Sequence, residues 1–108
     1  MPTTPIIAIC QQAILNERYT GMILTSSNAT IHVARNEVLD ALHQFEMRIT
    51  VSRKDWIELE NRSRILIYSA LRGAELFRGY SFDGLVYHDI TNPINEELKQ
   101  AIYCAMVQ

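Results

Sequence analysis

The densest run of reactive side chains extends from Arg78 through Gly79, Tyr80, Ser81, Phe82, Asp83 and Gly84 to Tyr87, His88 and Asp89. Hydroxyl, imidazole and carboxylate groups are the usual pieces of nucleophilic and acid–base catalysis. A small enzyme with its site near residues 78–89 is therefore one reading. Its spacing is poor. A nucleophile elbow needs glycines two residues before and two after the serine, so that a strained turn exposes the hydroxyl. Gly79 and Ser81 fit, but Asp83 stands where the second glycine belongs. His88 and Asp89 are adjacent, and neighbours on a strand point to opposite faces. The enzyme reading requires a pocket that unites Arg78, Tyr80, Asp83 and His88.

Other chemistries find less support. His32, His43 and His88 fall on three different expected elements, and none has a ligand partner four residues away on a helix, so no metal site is expected. With 4 Gly in the chain there is neither G-x-x-x-x-G-K-[ST] nor G-x-G-x-x-G to cradle a nucleotide phosphate, and no cofactor is expected. Cys10 and Cys104 stand near opposite ends, outside any Cys-x-x-Cys or zinc spacing, and read as buried, idle thiols.

Charge is more informative locally than in total. The net value is -2, but Met47 to Arg78 holds seven basic and four acidic residues, a local +3 that leaves -5 for the rest. Six of the seven are arginines, the cation suited to planar, bidentate contacts with carboxylate or phosphate. On a helix, Glu58 with Arg62 and Glu60 with Arg64 would be supporting i, i+4 pairs on a solvated face. A nucleic-acid-associated regulator using this Arg-rich middle helix is a second reading. The pI of ≈ 5.9 opposes it, since phosphate-backbone binders are usually basic, above roughly 9.

The elements that must carry these residues follow from caps and periodicity. Thr4 before Pro5 begins a helix to about Arg18, with Ile6, Ile7, Cys10, Ala13 and Ile14 on one face and Gly21 free to close it. Met22–Leu24 and Thr30–Ala34 read as a hairpin about Ser26, Ser27 and Asn28. Asn36 caps a short helix to about Phe45, and Met47–Val51 alternates as a strand. The favoured reading of residues 53–78 is one long helix with Trp56, Leu59, Leu66, Ile67, Ala70, Leu71, Ala74 and Phe77 on its core side. Its rival breaks at Asn61–Ser63 and makes Arg64–Ser69 a buried strand, because Ile65-Leu66-Ile67-Tyr68 is strongly β-forming. Asp83-Gly84 signals a further hairpin, and Asn92-Pro93 opens a C-terminal helix.

The expected fold is α+β: about four helices packed on a small three- to four-stranded sheet, with a long central helix, in a single domain over residues 1–108. A content of 48% hydrophobic and 20% charged residues suits a folded chain rather than a disordered one. No apolar run reaches the ~18 residues that span a bilayer and no basic-then-apolar leader opens the chain, so a cytoplasmic protein without membrane contact is expected. The favoured function is a non-enzymatic protein–protein interaction module, a small regulator or inhibitor, partnered by another protein or a second copy. Its interface would be the back of the long helix, where Ile65 and Leu76 are apolar on the wrong side, beside Lys54, Arg62 and Arg72.

Overall fold

The computed structural model describes residues 4–69 and 82–88. In chain order these form α1 (Thr4–Leu15), β1 (Thr20–Thr25), α2 (Asn28–Gln44), β2 (Ile49–Ser52), β3 (Trp56–Leu59), β4 (Arg64–Ser69) and β5 (Gly84–His88). The strands make one mixed sheet in the order β2-β3-β4-β1-β5. β4 and β5 flank β1 in parallel, while β3 runs antiparallel to both β4 and β2. The mixture of helix and sheet is as expected, but the counts are not: the described residues hold two helices and five strands, not about four helices on three or four strands.

The first helix follows its sequence signals. Ile6, Ile9, Cys10 and Ala13 recur at helical spacing and are all buried. Gly21 does not close the helix. It lies inside β1, and the chain turns instead through Arg18, at φ 60.

The hairpin expected over residues 22–34 is replaced by a strand and a helix. Ser26, Ser27 and Asn28 are turn formers, but the same residue types cap helices. Ser27 is extended, at φ -157 and ψ 168, its N–H donates to Thr30 Oγ1 over 3.2 Å, and that hydroxyl donates back to Ser27 O over 2.8 Å. This is half of a capping box and it starts α2. Thr30, Ile31 and Val33 suggested a strand because they are β-branched. Ile31, Ala34, Val38, Ala41 and Leu42 override that preference by forming a stripe buried against the sheet. The short helix capped by Asn36 is thus the second half of α2, and His32, expected on a strand, sits exposed on this helix. α2 closes in a Schellman arrangement, with Met47 N–H on Leu42 O at 3.0 Å, Glu46 N–H on His43 O at 3.1 Å, and Glu46 at φ 56.

The long helix over residues 53–78 does not form across its described part. Trp56–Leu59 and Arg64–Ser69 are strands, and the break lies at Asn61–Ser63. Gly21–Thr25 in β1 and Ile65–Ser69 in β4 are each five consecutive buried positions on neighbouring parallel strands covered on both faces, and the apolar residues of β4 fit a helical stripe by count as well. Ile23, Ile65, Ile67, Ile57 and Leu59 join the helices in one core, while Met22, Leu24, Leu66 and Tyr68 are buried on the opposite side. The strand expected at Met47–Val51 is β2, displaced to Ile49–Ser52.

Gly84 of the expected Asp83-Gly84 turn lies inside β5, which pairs in parallel with β1, and Tyr80 and Ser81 of the expected first hairpin strand lie outside the described residues. Asp83 Oδ2 accepts from Thr20 N–H at 2.8 Å and Asp83 N–H donates to Thr20 O at 2.7 Å, which docks β5 beside β1 in parallel. Gly84 is required for space: a Cβ there would collide with the Tyr19 hydroxyl. The expected helix from Asn92-Pro93, the residues after Ser69 assigned to the long helix, and Cys104 lie outside the described residues. No helix among the described residues is long and apolar enough to cross a membrane.

Two outcomes test this packing. Gly84→Ala is expected to destabilise the chain by about 1–3 kcal/mol, the usual cost of overpacking. In a Tyr19→Ala background the penalty should shrink, as a double-mutant cycle of urea midpoints will show. Burial pushes the Cys10 thiol up to about 12. The unfolded thiol ionises near its ordinary value while the folded one stays neutral, so stability should fall as pH rises from about 9 toward 12, by up to ~1.4 kcal/mol per unit. Cys10→Ala removes this component of alkaline unfolding, and urea midpoints of both proteins at pH 8 and pH 10.5 measure it.

Candidate functional site

The amino edge of β1 and β4 is built on a polar clasp. Ser63 is fully buried, yet its Oγ donates to Asn16 O at 2.7 Å and accepts from Tyr19 N–H at 3.1 Å. Asn61 Nδ2 reaches the last carbonyls of α1, Ala13 O at 2.8 Å and Ile14 O at 3.3 Å, where a helix end leaves acceptors unsatisfied. Asn61 Oδ1 in turn accepts from Ser63 N–H at 3.1 Å. Backbone bonds complete the join, Arg18 N–H to Asn61 O at 3.3 Å and Arg64 N–H to Tyr19 O at 2.7 Å. The α1–β1 loop and the β3–β4 turn are thereby held as one unit.

This clasp presents three arginines. Arg18 and Arg62 both occupy the left-handed region, at φ 60 and φ 69, where glycine or asparagine is usual. Arg62 sits at the close of the β3–β4 turn, its N–H bonded to Leu59 O at 3.0 Å, a place glycine commonly fills. Arg64 starts β4, in register with Thr20 on β1 and Glu58 on β3. Together Arg18, Thr20, Glu58, Arg62 and Arg64 line an open hollow of about 340 Å³. All three arginines are exposed, and among the described residues none of their guanidiniums lies within 4.0 Å of a carboxylate. Glu58 does not pair with Arg62 in the helical i, i+4 manner, because the segment is a hairpin.

A second hollow of about 380 Å³ adjoins it, sharing Arg18 and lined also by Gln12, Asn16, Glu17, Tyr19 and Asp83. There, burial and then the Asp83 carboxylate raise the Tyr19 hydroxyl above its ordinary value.

At the opposite, carboxyl edge of the parallel strands Ser69, Thr25 and His88 stand in one register row. Thr25 is buried and donates to Ser27 O at 2.9 Å. His88 Nε2 bonds the Glu37 carboxylate of α2, and His88 Nδ1 is buried without a hydrogen-bond partner. The contact pins the outer strand β5 to α2. The pocket needed for the enzyme reading is not assembled among the described residues: Asp83, just before β5, and His88, at its end, are roughly 16 Å apart at strand rise, and Arg78, Tyr80, Ser81 and Asp89 lie outside them. No group of three or more His, Cys, Asp or Glu that could hold a metal occurs among the described residues.

The three described residues of the expected interface, Lys54, Arg62 and Ile65, are not brought together. Ile65 is fully buried in the core from β4, so it offers no surface to a partner or a second copy. Lys54 is exposed in the β2–β3 turn, at the far end of β3 from Arg62. Arg72 and Leu76 lie outside the described residues. Of the three that are described, Arg62 lines the hollow. Arg18 was missed because nothing in the sequence links it to a turn some forty positions later.

Asn61→Ala should cost about 1–3 kcal/mol by leaving the part-buried carbonyls at the end of α1 and the Ser63 N–H without this partner. Arg62→Gly should leave stability unchanged or raise it by up to ~1 kcal/mol, since glycine adopts the left-handed conformation without steric cost. Thermal melts of the two variants give opposite signs if the clasp is structural and the arginine is not.

Comparison with known proteins adds no family to this geometry: no family model and no curated protein matches the chain.

Proposed function

We propose that this chain is a non-enzymatic binding domain that engages a partner protein through the arginine-lined hollow at the amino edge of its sheet, taking up an anionic group of that partner. One observation carries the reading: Arg18 of the α1–β1 loop and Arg62 and Arg64 of the β3–β4 connection line one hollow with no carboxylate within ion-pair distance of their guanidiniums among the described residues. Salt-bridge formation is the ordinary fate of arginine beside an in-register glutamate, and Glu58 faces Arg64 across the strands without making one. Two of the three arginines also hold a backbone conformation that costs energy in a non-glycine residue, and such positions cluster at functional sites.

The small-enzyme reading keeps one observation, the part-buried His88–Glu37 contact with a buried His88 Nδ1 that has no hydrogen-bond partner. A carboxylate that orients an imidazole is part of a general base. The rest of such a site is lacking among the described residues, since no hydroxyl or thiol is hydrogen-bonded to His88 there, and the reading is not adopted.

The test is a titration of the full chain with two chemically different anions, hexaglutamate and pyrophosphate, followed through the arginine side-chain resonances. Arg18, Arg62 and Arg64 are expected to shift together, and the response should weaken as salt rises. Arg64→Gln, on an exposed strand position, should weaken binding about tenfold, the size of one charge-assisted hydrogen bond. If neither anion moves these resonances, the reading is wrong.

A further inference from the structure

We infer that the anion taken up by the hollow is a dianionic phosphate monoester, carried as a phosphorylated side chain on the partner protein. This rests on the binding reading above and specifies its ligand. A carboxylate has two oxygens whose four or so acceptor sites lie in one plane, so one guanidinium fork fills half of them and any further fork must approach in that same plane. A phosphate monoester offers three terminal oxygens in a tetrahedral array and can accept forks from several directions. Here three arginines line one hollow from two chain segments, Arg18 from the α1–β1 loop and Arg62 and Arg64 from the end of the β3–β4 turn and the start of β4. Thr20 adds a hydroxyl to the same lining.

Charge points the same way. Three arginines and Glu58 leave the hollow at a formal +2, and a phosphate monoester carries about -1.5 to -2 near neutral pH. A single carboxylate would leave the site uncompensated. The site is also preorganised, because Arg18 and Arg62 are joined through the Arg18 N–H to Asn61 O bond at 3.3 Å and Arg64 is anchored by its N–H to Tyr19 O at 2.7 Å. Ligand binding therefore need order only side chains and not loops.

A nucleic-acid backbone fits less well. Its phosphates repeat along a track and need basic groups along that track. The arginine hollow holds Glu58, and the adjoining hollow holds Glu17 and Asp83. A chain of phosphates passing through Arg18 would meet these carboxylates, whereas one isolated phosphate need not.

The experiment compares four probes on the full chain by the same arginine resonances and by calorimetry: a short phosphoserine peptide, the same peptide with glutamate in its place, inorganic phosphate, and a random DNA duplex. The expected result is phosphopeptide binding at least tenfold tighter than the glutamate peptide, competition by inorganic phosphate at the same three arginines, and at least a tenfold loss in both Arg62→Gln and Arg64→Gln. Arg62→Gly serves as the variant that keeps the backbone conformation, with its fold checked by melting. Equal affinity for the glutamate and phosphoserine peptides overturns the phosphate inference and leaves the binding reading standing. Duplex binding tighter than that of the phosphopeptide, with affinity falling steeply with salt, overturns it in favour of nucleic acid. No response to any probe removes both.

Discussion

The clasp of Asn61 and Ser63 is the interaction on which the amino edge of this molecule depends. Burying a serine hydroxyl, and partly burying an asparagine amide beside it, is costly unless their hydrogen bonds are made. Here Ser63 Oγ and the Asn61 amide satisfy the end of α1, the start of β1 and each other. They join two connections that are some forty residues apart in the chain. Without that join, nothing would bring Arg18 beside Arg62, and the strand β4 would enter the sheet without a fixed starting point.

From that anchor the sheet builds outward around β1. Its neighbours β4 and β5 are both parallel to it, although β4 follows α2 and two intervening strands while β5 comes from later in the chain. A parallel core must be covered on both faces, which is why β1 and β4 are apolar runs with little alternation. The edges are where polar groups accumulate. Thr20, Arg64 and Glu58 form a row at the amino edge, and Ser69, Thr25 and His88 form one at the carboxyl edge. The two ends of β5 divide the same way: Asp83 ties it to Thr20, and His88 ties it to α2 through Glu37.

The arrangement explains why one end is read as a recognition site and the other as a structural contact. At the carboxyl edge the imidazole is committed to Glu37, and its contact fastens an outer strand to a helix. At the amino edge, charges remain without partners among the described residues, on a scaffold held still by the clasp. Unpaired arginines on a rigid frame are available for a ligand.

What the sequence determined by itself is local. Pro5 after Thr4, with apolar residues at helical spacing, was enough to define α1, and the capping residues at Ser27 and Thr30 were present to start α2 although their β-branched neighbours argued for a strand. The β propensity of Ile65-Leu66-Ile67-Tyr68 was legible as a rival to the long helix. Only the tertiary structure decided between them, because a stripe of apolar residues fits either a helix with one buried side or strands buried on both, and the choice depends on whether β1 is there to pair with β4. The turns were hidden for a similar reason. The chain reverses at Arg18, Glu46 and Arg62 in left-handed conformations, and none of these is the glycine or asparagine that marks such a turn in sequence. Arg18 is held there by its N–H to Asn61 O, a partner that no local pattern records, whereas Glu46 and Arg62 are held by bonds to His43 O and Leu59 O within their own turns. The same physics hid the candidate site: its arginines lie on segments separated in sequence, and they become a site only when the clasp closes.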